Sequence, residues 1–149
     1  MNLKIINKKA TFNFEILDKF EGGLKLTGFE TKSIRNGQIK LDGSFIISKN
    51  NELFLKNATI QPYQPNNIPK EFKTDRLLKI LMHKKDILKL TQKIEKERLS
   101  LIPLSIYSKN KKLKIELALA KGKKKADKRQ TIKKREAERE ILRTIKNER

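Results

Sequence analysis

Apolar residues recur at every second position through much of the first 120 residues, the spacing of strands with one buried face. Phe12, Phe14 and Ile16 alternate with Asn13 and Glu15, and Leu24-Lys25-Leu26-Thr27 resumes the alternation after Glu21-Gly22-Gly23. These two runs read as a hairpin turning at the two glycines. Ile39–Ser48 and Leu53–Lys56 read as two strands joined through Lys49-Asn50-Asn51-Glu52. Leu101–Tyr107 and Leu113–Leu119 form a last pair around Ser108–Lys112. In the final strand Leu113, Ile115, Leu117 and Leu119 share one face, and Lys114 and Glu116 take the other.

The period changes in two places. Phe29–Asn36 fits about two helical turns, with Gly37 placed as a left-handed cap. His83–Glu97 brings Ile87, Leu90, Thr91 and Ile94 to one side of a longer helix. Between them, Pro62, Pro65 and Pro69 mark a loop, and Leu77–Met82 fits either a strand or the start of the longer helix. The result is a mainly β chain with two or three helices. Short strands leave exposed edges in an open sheet, so the expected architecture is an OB-like small closed barrel. Phe12, Phe14, Phe45 and Phe54 occupy alternating positions and are expected in its core rather than as stacking platforms.

The pattern breaks after Ala120. Residues 121–149 hold thirteen of the 37 basic and five of the 17 acidic residues, a net +8. Asp127 with Gln130 three residues on suggests a capping box, and Ala137, Ile141 and Ile145 recur at helical spacing beside Leu142. Arg135, Arg139 and Arg143 form a second stripe. The register is helical, but four modest apolar groups supply only about 3 to 6 kcal/mol if fully buried. Isolated helices of this length are marginal in water. The tail is therefore expected to be disordered alone and helical on binding, against the alternative of a solvated helix resting on the barrel. The domains expected are a barrel over 1–120 and a tail over 121–149.

The remaining 24 basic and 12 acidic residues leave the body itself at +12, within a total of +20 over 149 residues. A basic body with a basic tail suits a polyanion gripped in two places, either nucleic acid or an anionic membrane surface. The tail lacks the aromatic and leucine face of an interfacial helix, and no apolar run approaches the ~18 residues of a membrane span. No signal-peptide core is visible at the N-terminus. Cysteine is absent, which removes disulfides and thiolate zinc sites. These features fit a cytoplasmic protein.

Catalytic chemistry finds little support. His83 is the single histidine, there is no Gly-x-Ser-x-Gly elbow, and "GKKKADK" lacks the spacing of a phosphate loop. Carboxylates are scattered, with Glu21 and Glu30 the pair in turn-like settings near the basic body. No catalytic residue, metal or cofactor is expected. His83 fits either a partly buried helix start or a group that stacks on or bonds to RNA. Aromatic residues are not interleaved with basic ones on one face. The recognition face is therefore expected to be charged and polar, reading shape and phosphates of a folded RNA.

Four segments carry a resemblance over nearly the whole chain: "FEGGLKLTGFETKSIRNGQIKLDGSF" (Phe20–Phe45), "LMHKKDI" (Leu81–Ile87), "LIPLSIYSKN" (Leu101–Asn110) and "ALAKGKKKADKR" (Ala118–Arg129). In this order they resemble the SsrA-binding protein family, also called small protein B. The combination of Gly-x-Glu-x-Lys-Ser-x-Arg with Lys-Gly-Lys-Lys-x-x-Asp-Lys-Arg is the specific part.

The resemblance implies a non-catalytic adaptor for transfer-messenger RNA in ribosome rescue, acting as a monomer with one RNA. The barrel would hold the tRNA-like domain and replace the missing anticodon arm. The tail would enter the empty mRNA channel beside the small-subunit decoding region. By motif, the RNA-binding positions are Glu21, Leu81, His83 and Lys114, and Lys32, Arg35, Arg76 and Lys79 could contact the backbone. For the tail they are Lys121, Gly122, Lys123, Lys124, Asp127, Lys128 and Arg129, with Arg135 and Arg139 on the arginine stripe. Ala126 stands where relatives often carry Tyr or His, Thr11-Phe12 replaces an Arg-His pair, Leu77-Leu78 replaces Pro-Arg, and Arg98 replaces a helix-closing glycine. The alternative is a general RNA-binding OB-fold protein, such as a ribosomal protein.

Overall fold

The computed structural model describes residues 3–123 and 125–147. The chain runs β1 (Lys4–Ile6), α1 (Ala10–Asn13), β2 (Phe14–Lys25), α2 (Gly28–Arg35), β3 (Ile39–Lys40), β4 (Phe45–Lys49) and β5 (Glu52–Lys56). It continues through β6 (Thr59–Ile60), β7 (Leu78–Leu81), α3 (Lys84–Glu97), β8 (Ser100–Lys109), β9 (Lys112–Gly122) and α4 (Lys125–Asn147). Seven of these strands form one antiparallel sheet in the order β1-β8-β9-β2-β7-β5-β4, and β3 pairs with β6. The mainly β architecture is as expected. β4, at one end of the order, lies alongside β8, so the sheet curls over its core. The ladders among the described residues leave β1 and β4 as its two ends.

The hairpin expected at Glu21-Gly22-Gly23 is instead a single twelve-residue strand, β2. Its glycines lie within the ladder rather than in a turn, and Gly22 serves close packing between strands. Gly22 pairs with Ile115 on one side, and Gly23 pairs with both Lys114 and Leu81. A Cβ on Gly22 would stand 2.9 Å from Ile80 Cγ2 and 3.0 Å from Met82 Cγ. Spacing alone cannot separate a turn glycine from one placed where strands crowd.

Ile39–Ser48 is likewise not one strand. It divides into β3 and β4 around a turn at Gly43, which takes φ +76°. Both hairpin loops hold: Asn50-Asn51 and Asn110-Lys111 each supply two residues at positive φ, the geometry that suits the twist of paired strands. Leu77–Met82 resolves as the strand β7. The short helix α2 starts at a complete capping box, in which Thr27 Oγ1 accepts from the Glu30 N–H and Glu30 Oε1 accepts from the Thr27 N–H. Gly37 follows it at φ +74°. The four-residue α1, too short to show a period, had no counterpart in the sequence reading.

The core is aliphatic. Leu53, Leu55, Leu78, Ile80, Ile106, Ile115 and Leu117 are fully buried, and Ile87 and Leu90 anchor α3 beneath them. Ala10, Ile102, Leu104, Ala118 and Ala120 form a second, smaller cluster. The phenylalanines expected in the core lie outside it: Phe12, Phe14 and Phe54 are half-buried and Phe45 is exposed. Phe12 leaves the alternation altogether because it sits on α1. Strand bulges fall between Ile16 and Asp18 in β2 and between Pro103 and Ser105 in β8. The second accommodates Pro103, which lacks the N–H a ladder needs.

The tail carries its helical register as α4. It begins at Lys125, so Asp127 lies inside the first turn rather than at the cap. Among the described residues, Arg135 donates to Thr11 Oγ1 at 3.1 Å and lies 6.0 Å from the Phe12 ring centroid. Ile141 and Leu142 remain 60 % and 66 % exposed, so these two apolar side chains are not buried on the body.

Candidate nucleic-acid interface

The middle of the sheet builds a cleft at one end. In the ladders Lys114 of β9, Gly23 of β2 and Leu81 of β7 lie side by side. Residues two apart on a strand share a face, so Glu21 joins this row. Gly23 contributes no side chain and forms the floor, with the Leu81 Cβ 3.5 Å from where its own Cβ would be. His83 is the residue preceding α3, in extended conformation at φ −64° and ψ 140°, and its carbonyl accepts from the Asp86 and Ile87 N–H groups. The result is an open cleft of about 360 Å³ lined by Glu21, Leu81, Met82, His83, Asp86 and Lys114. Glu21, Leu81, His83 and Lys114, scattered over 94 positions of sequence, thus meet in one place.

Glu21 does not stand alone there. Tyr107 on β8 donates its hydroxyl hydrogen to Glu21, and Lys109 Nζ lies 3.5 Å from both carboxylate oxygens. The Tyr107 hydrogen bond, followed by the charges of Lys109 and Lys114, lowers the carboxyl of Glu21 below its ordinary range. Burial, then the bond to Glu21, pushes the Tyr107 hydroxyl well above its ordinary value, so it stays a donor. The carboxylate is a fixed, ionised acceptor suited to N–H or O–H groups on a base or ribose and ill suited to phosphate. Tyr107 was missed in the sequence because its partner lies 86 residues away.

Other basic candidates are disposed differently. Arg35, at the end of α2, donates to the Lys111 carbonyl at 2.7 Å and lines an adjoining cleft. Arg76 makes two bonds to Glu30, at 2.6 and 2.9 Å, beneath α2. Burial raises the Glu30 carboxyl, but the Arg76 bonds and the Thr27 N–H outweigh it and leave it lowered. Lys79 pairs with Glu52 at 3.1 Å, and Lys32 Nζ lies 5.8 Å from the Tyr63 ring centroid. Lys32, Arg76 and Lys79 are therefore not among the residues lining the cleft of Glu21.

The tail residues leave from the far end of the sheet. Lys121 and Gly122 end β9, where Gly122 pairs with Phe14, and the Lys123 N–H and Nζ bond to the Asn13 and Thr11 carbonyls. Lys124 lies outside the described residues. The backbone places Asp127, Lys128 and Arg129 early in α4, and Arg139 is exposed farther along it. Among the described residues no group of three or more His, Cys, Asp or Glu could hold a metal ion, and no helix is long and apolar enough to cross a membrane.

The SsrA-binding protein of Halothermothrix orenii is 50 % identical over 149 residues, covering 97 % of this chain and 94 % of its own. That of Mycoplasma mycoides subsp. mycoides is 44 % identical over 145 residues, covering 97 % and 98 %. A solved structure described as "tmRNA-SmpB: a journey to the center of the bacterial ribosome" superposes with a TM-score of 0.67 at 36 % identity, over 82 % of this chain and 85 % of that one. The sequence profile described as "SmpB protein" matches residues 4–147, and the chain belongs to that family.

Proposed function

We propose that this protein binds the tRNA-like domain of transfer-messenger RNA and delivers it to stalled ribosomes for rescue. The sheet stands in for the missing anticodon arm and α4 probes the empty mRNA channel near the small-subunit decoding region. The observation that carries this reading is the meeting of Glu21, Leu81, His83 and Lys114 in one cleft. Family membership and the similar SmpB structure bound up with tmRNA and the ribosome support the choice of RNA. They leave a general OB-fold RNA binder unfavoured.

The physics fits an adaptor working in the cytoplasm as a monomer with one RNA. A +20 chain gains free energy from every phosphate it neutralises, which draws it to any RNA. Selectivity needs groups that phosphate repels, and Glu21 is such a group. The exposed arginines of α4 gain charge-assisted bonds only in an RNA-walled slot. Occupied mRNA would deny them that slot, so the tail reports whether the channel is empty.

The test is the affinity of the intact protein for the tRNA-like domain and for an ordinary tRNA at physiological salt. A preference of about tenfold or more (about 1.4 kcal/mol) for the tRNA-like domain is expected. Equal affinities would overturn the reading in favour of a generic basic RNA binder.

A further inference from the structure

Beside the cleft of Glu21 lies a second one, of about 350 Å³, and the two share Gly23, Leu81 and Lys114. Their charges differ. The first is lined by two carboxylates, Glu21 and Asp86, against one lysine, Lys114. The second is lined by Arg35, Lys111, Lys112 and Lys114 and by no carboxylate. Two adjoining openings on one face thus differ in charge, separated by the Leu81–Lys114 line: with Lys109 paired to Glu21 the first is close to balanced, and the second is wholly cationic.

The cationic side is also held in place. The Arg35 guanidinium is fixed by its bond to the Lys111 carbonyl, which ties the end of α2 to the β8–β9 turn. Lys111 itself sits at φ 64°, a conformation that disfavours most side chains and suits Gly or Asn. The turn therefore carries a lysine where its backbone favours a smaller residue, and that lysine lines the cleft.

Resting on the reading of this face as an RNA surface, we propose that the two clefts divide one RNA strand between them. The cationic cleft seats its phosphate backbone through Arg35, Lys111 and Lys112. The first cleft receives donor groups of its bases or ribose at Glu21. Lys114, on the shared boundary, serves both. Affinity and selectivity then reside in different residues of one surface, because phosphate contacts carry no sequence information and an acceptor carboxylate adds no phosphate attraction.

The experiment is a salt series with the full chain, the tRNA-like domain and an ordinary tRNA. The Lys111→Asn/Lys112→Gln variant keeps a residue tolerant of positive φ in the turn, and Glu21→Gln is its counterpart. For the lysine variant the slope of log K against log salt should fall in magnitude by about 0.7 to 0.9 per lysine lost, with both RNAs weakened alike. For Glu21→Gln the slope should hold while the preference between the RNAs shrinks. An unchanged slope in the lysine variant, with its melting temperature retained, overturns the proposal. So does a lysine variant that loses preference instead of slope; if it fails to fold, Lys112→Gln alone gives the same readout. Equal binding of both RNAs by the unmutated protein would instead overturn the choice of RNA, and the slopes would still judge the cationic cleft.

Discussion

Tyr107 on β8 reaches across β9 to bond to Glu21 on β2. The bond holds a carboxylate in one orientation at the rim of the cleft, so that part of the cost of ordering it is met before RNA arrives. Tyr107→Phe keeps the ring and removes the donor. It should weaken binding of the tRNA-like domain about fivefold, for roughly 1 kcal/mol of lost hydrogen bonding. In a double-mutant cycle with Glu21→Gln, the second substitution should add little to the first. Fully additive effects would show that the two side chains act separately.

Glu30 and Arg76 form the described ion pair with the most deeply buried carboxylate, Glu30 being 2 % exposed. Glu30→Gln can keep the Thr27 cap but loses the charge pairing, for a loss of about 1 to 2 kcal/mol in denaturant unfolding, less than a fully buried pair because Arg76 reaches water. The folded carboxyl is held below its ordinary 4.5. Its contribution is therefore complete above pH 4.5 and is lost as pH falls through the lower folded value. The stability gap between wild type and Glu30→Gln should be constant near neutrality and close in acid; a gap that widened in acid would contradict the assignment.

The two adjacent glycines of β2 should respond oppositely to alanine. In Gly22→Ala the new methyl meets Ile80 Cγ2 at 2.9 Å, and a loss of about 1 to 3 kcal/mol is expected from overpacking. In Gly23→Ala it stands 3.5 Å from Leu81, an ordinary contact, but raises the floor of the cleft. Melting temperature should fall in the first and hold in the second, and RNA affinity should fall in the second. Equal melting temperatures for the two variants would refute the packing account.

Arg98 closes α3 in the left-handed conformation, at φ 52° and ψ 49°, with its N–H bonded to the Ile94 carbonyl. Arg98→Gly should stabilise the protein by about 1 kcal/mol, seen as a higher melting temperature. A neutral or destabilising result would mean the arginine side chain contributes more than its backbone costs.

For α4 the described side-chain contacts with the body are those of Arg135 with Thr11 and Phe12, and Ile141 and Leu142 stay exposed. A peptide of residues 121–147 should therefore be mostly coil by far-ultraviolet circular dichroism and gain helix on adding polyanionic RNA. Arg135→Ala/Arg139→Ala should leave affinity for the tRNA-like domain within about twofold while reducing delivery to stalled ribosomes. A peptide already helical in buffer would show that α4 needs no partner.

Much of this was legible from local pattern. The Asn50-Asn51 turn, the Gly37 cap, the strand pair ending the body and the extent of α3 all follow from short-range rules, and the structure places them within three residues. What stayed hidden depends on distant neighbours. Gly22 looks like a turn residue until Ile80 is seen beside it, and Tyr107 looks like one more strand aromatic until Glu21 is opposite. Phe12, Phe14, Phe45 and Phe54 follow the alternation of a buried face, yet the interior is filled by leucine and isoleucine from seven strands. Arg76 carries a charge that reads as surface, and only the fold shows it turned beneath α2 toward Glu30.

Because β2 runs on through Gly22 and Gly23 instead of doubling back, Lys114 and Leu81 flank one of its ends and Gly122 the other. The ten residues of extended chain from Phe14 to Gly23 make a strut of roughly 30 Å, nine steps of ~3.4 Å. Ladders on both sides stiffen it near the cleft. The distance from the cleft proposed for RNA to where the tail departs is then a gauge written into strand length. Lengthening β2 and β9 together by two residues would preserve every side chain's face and yet carry the tail about 7 Å out of reach of its target.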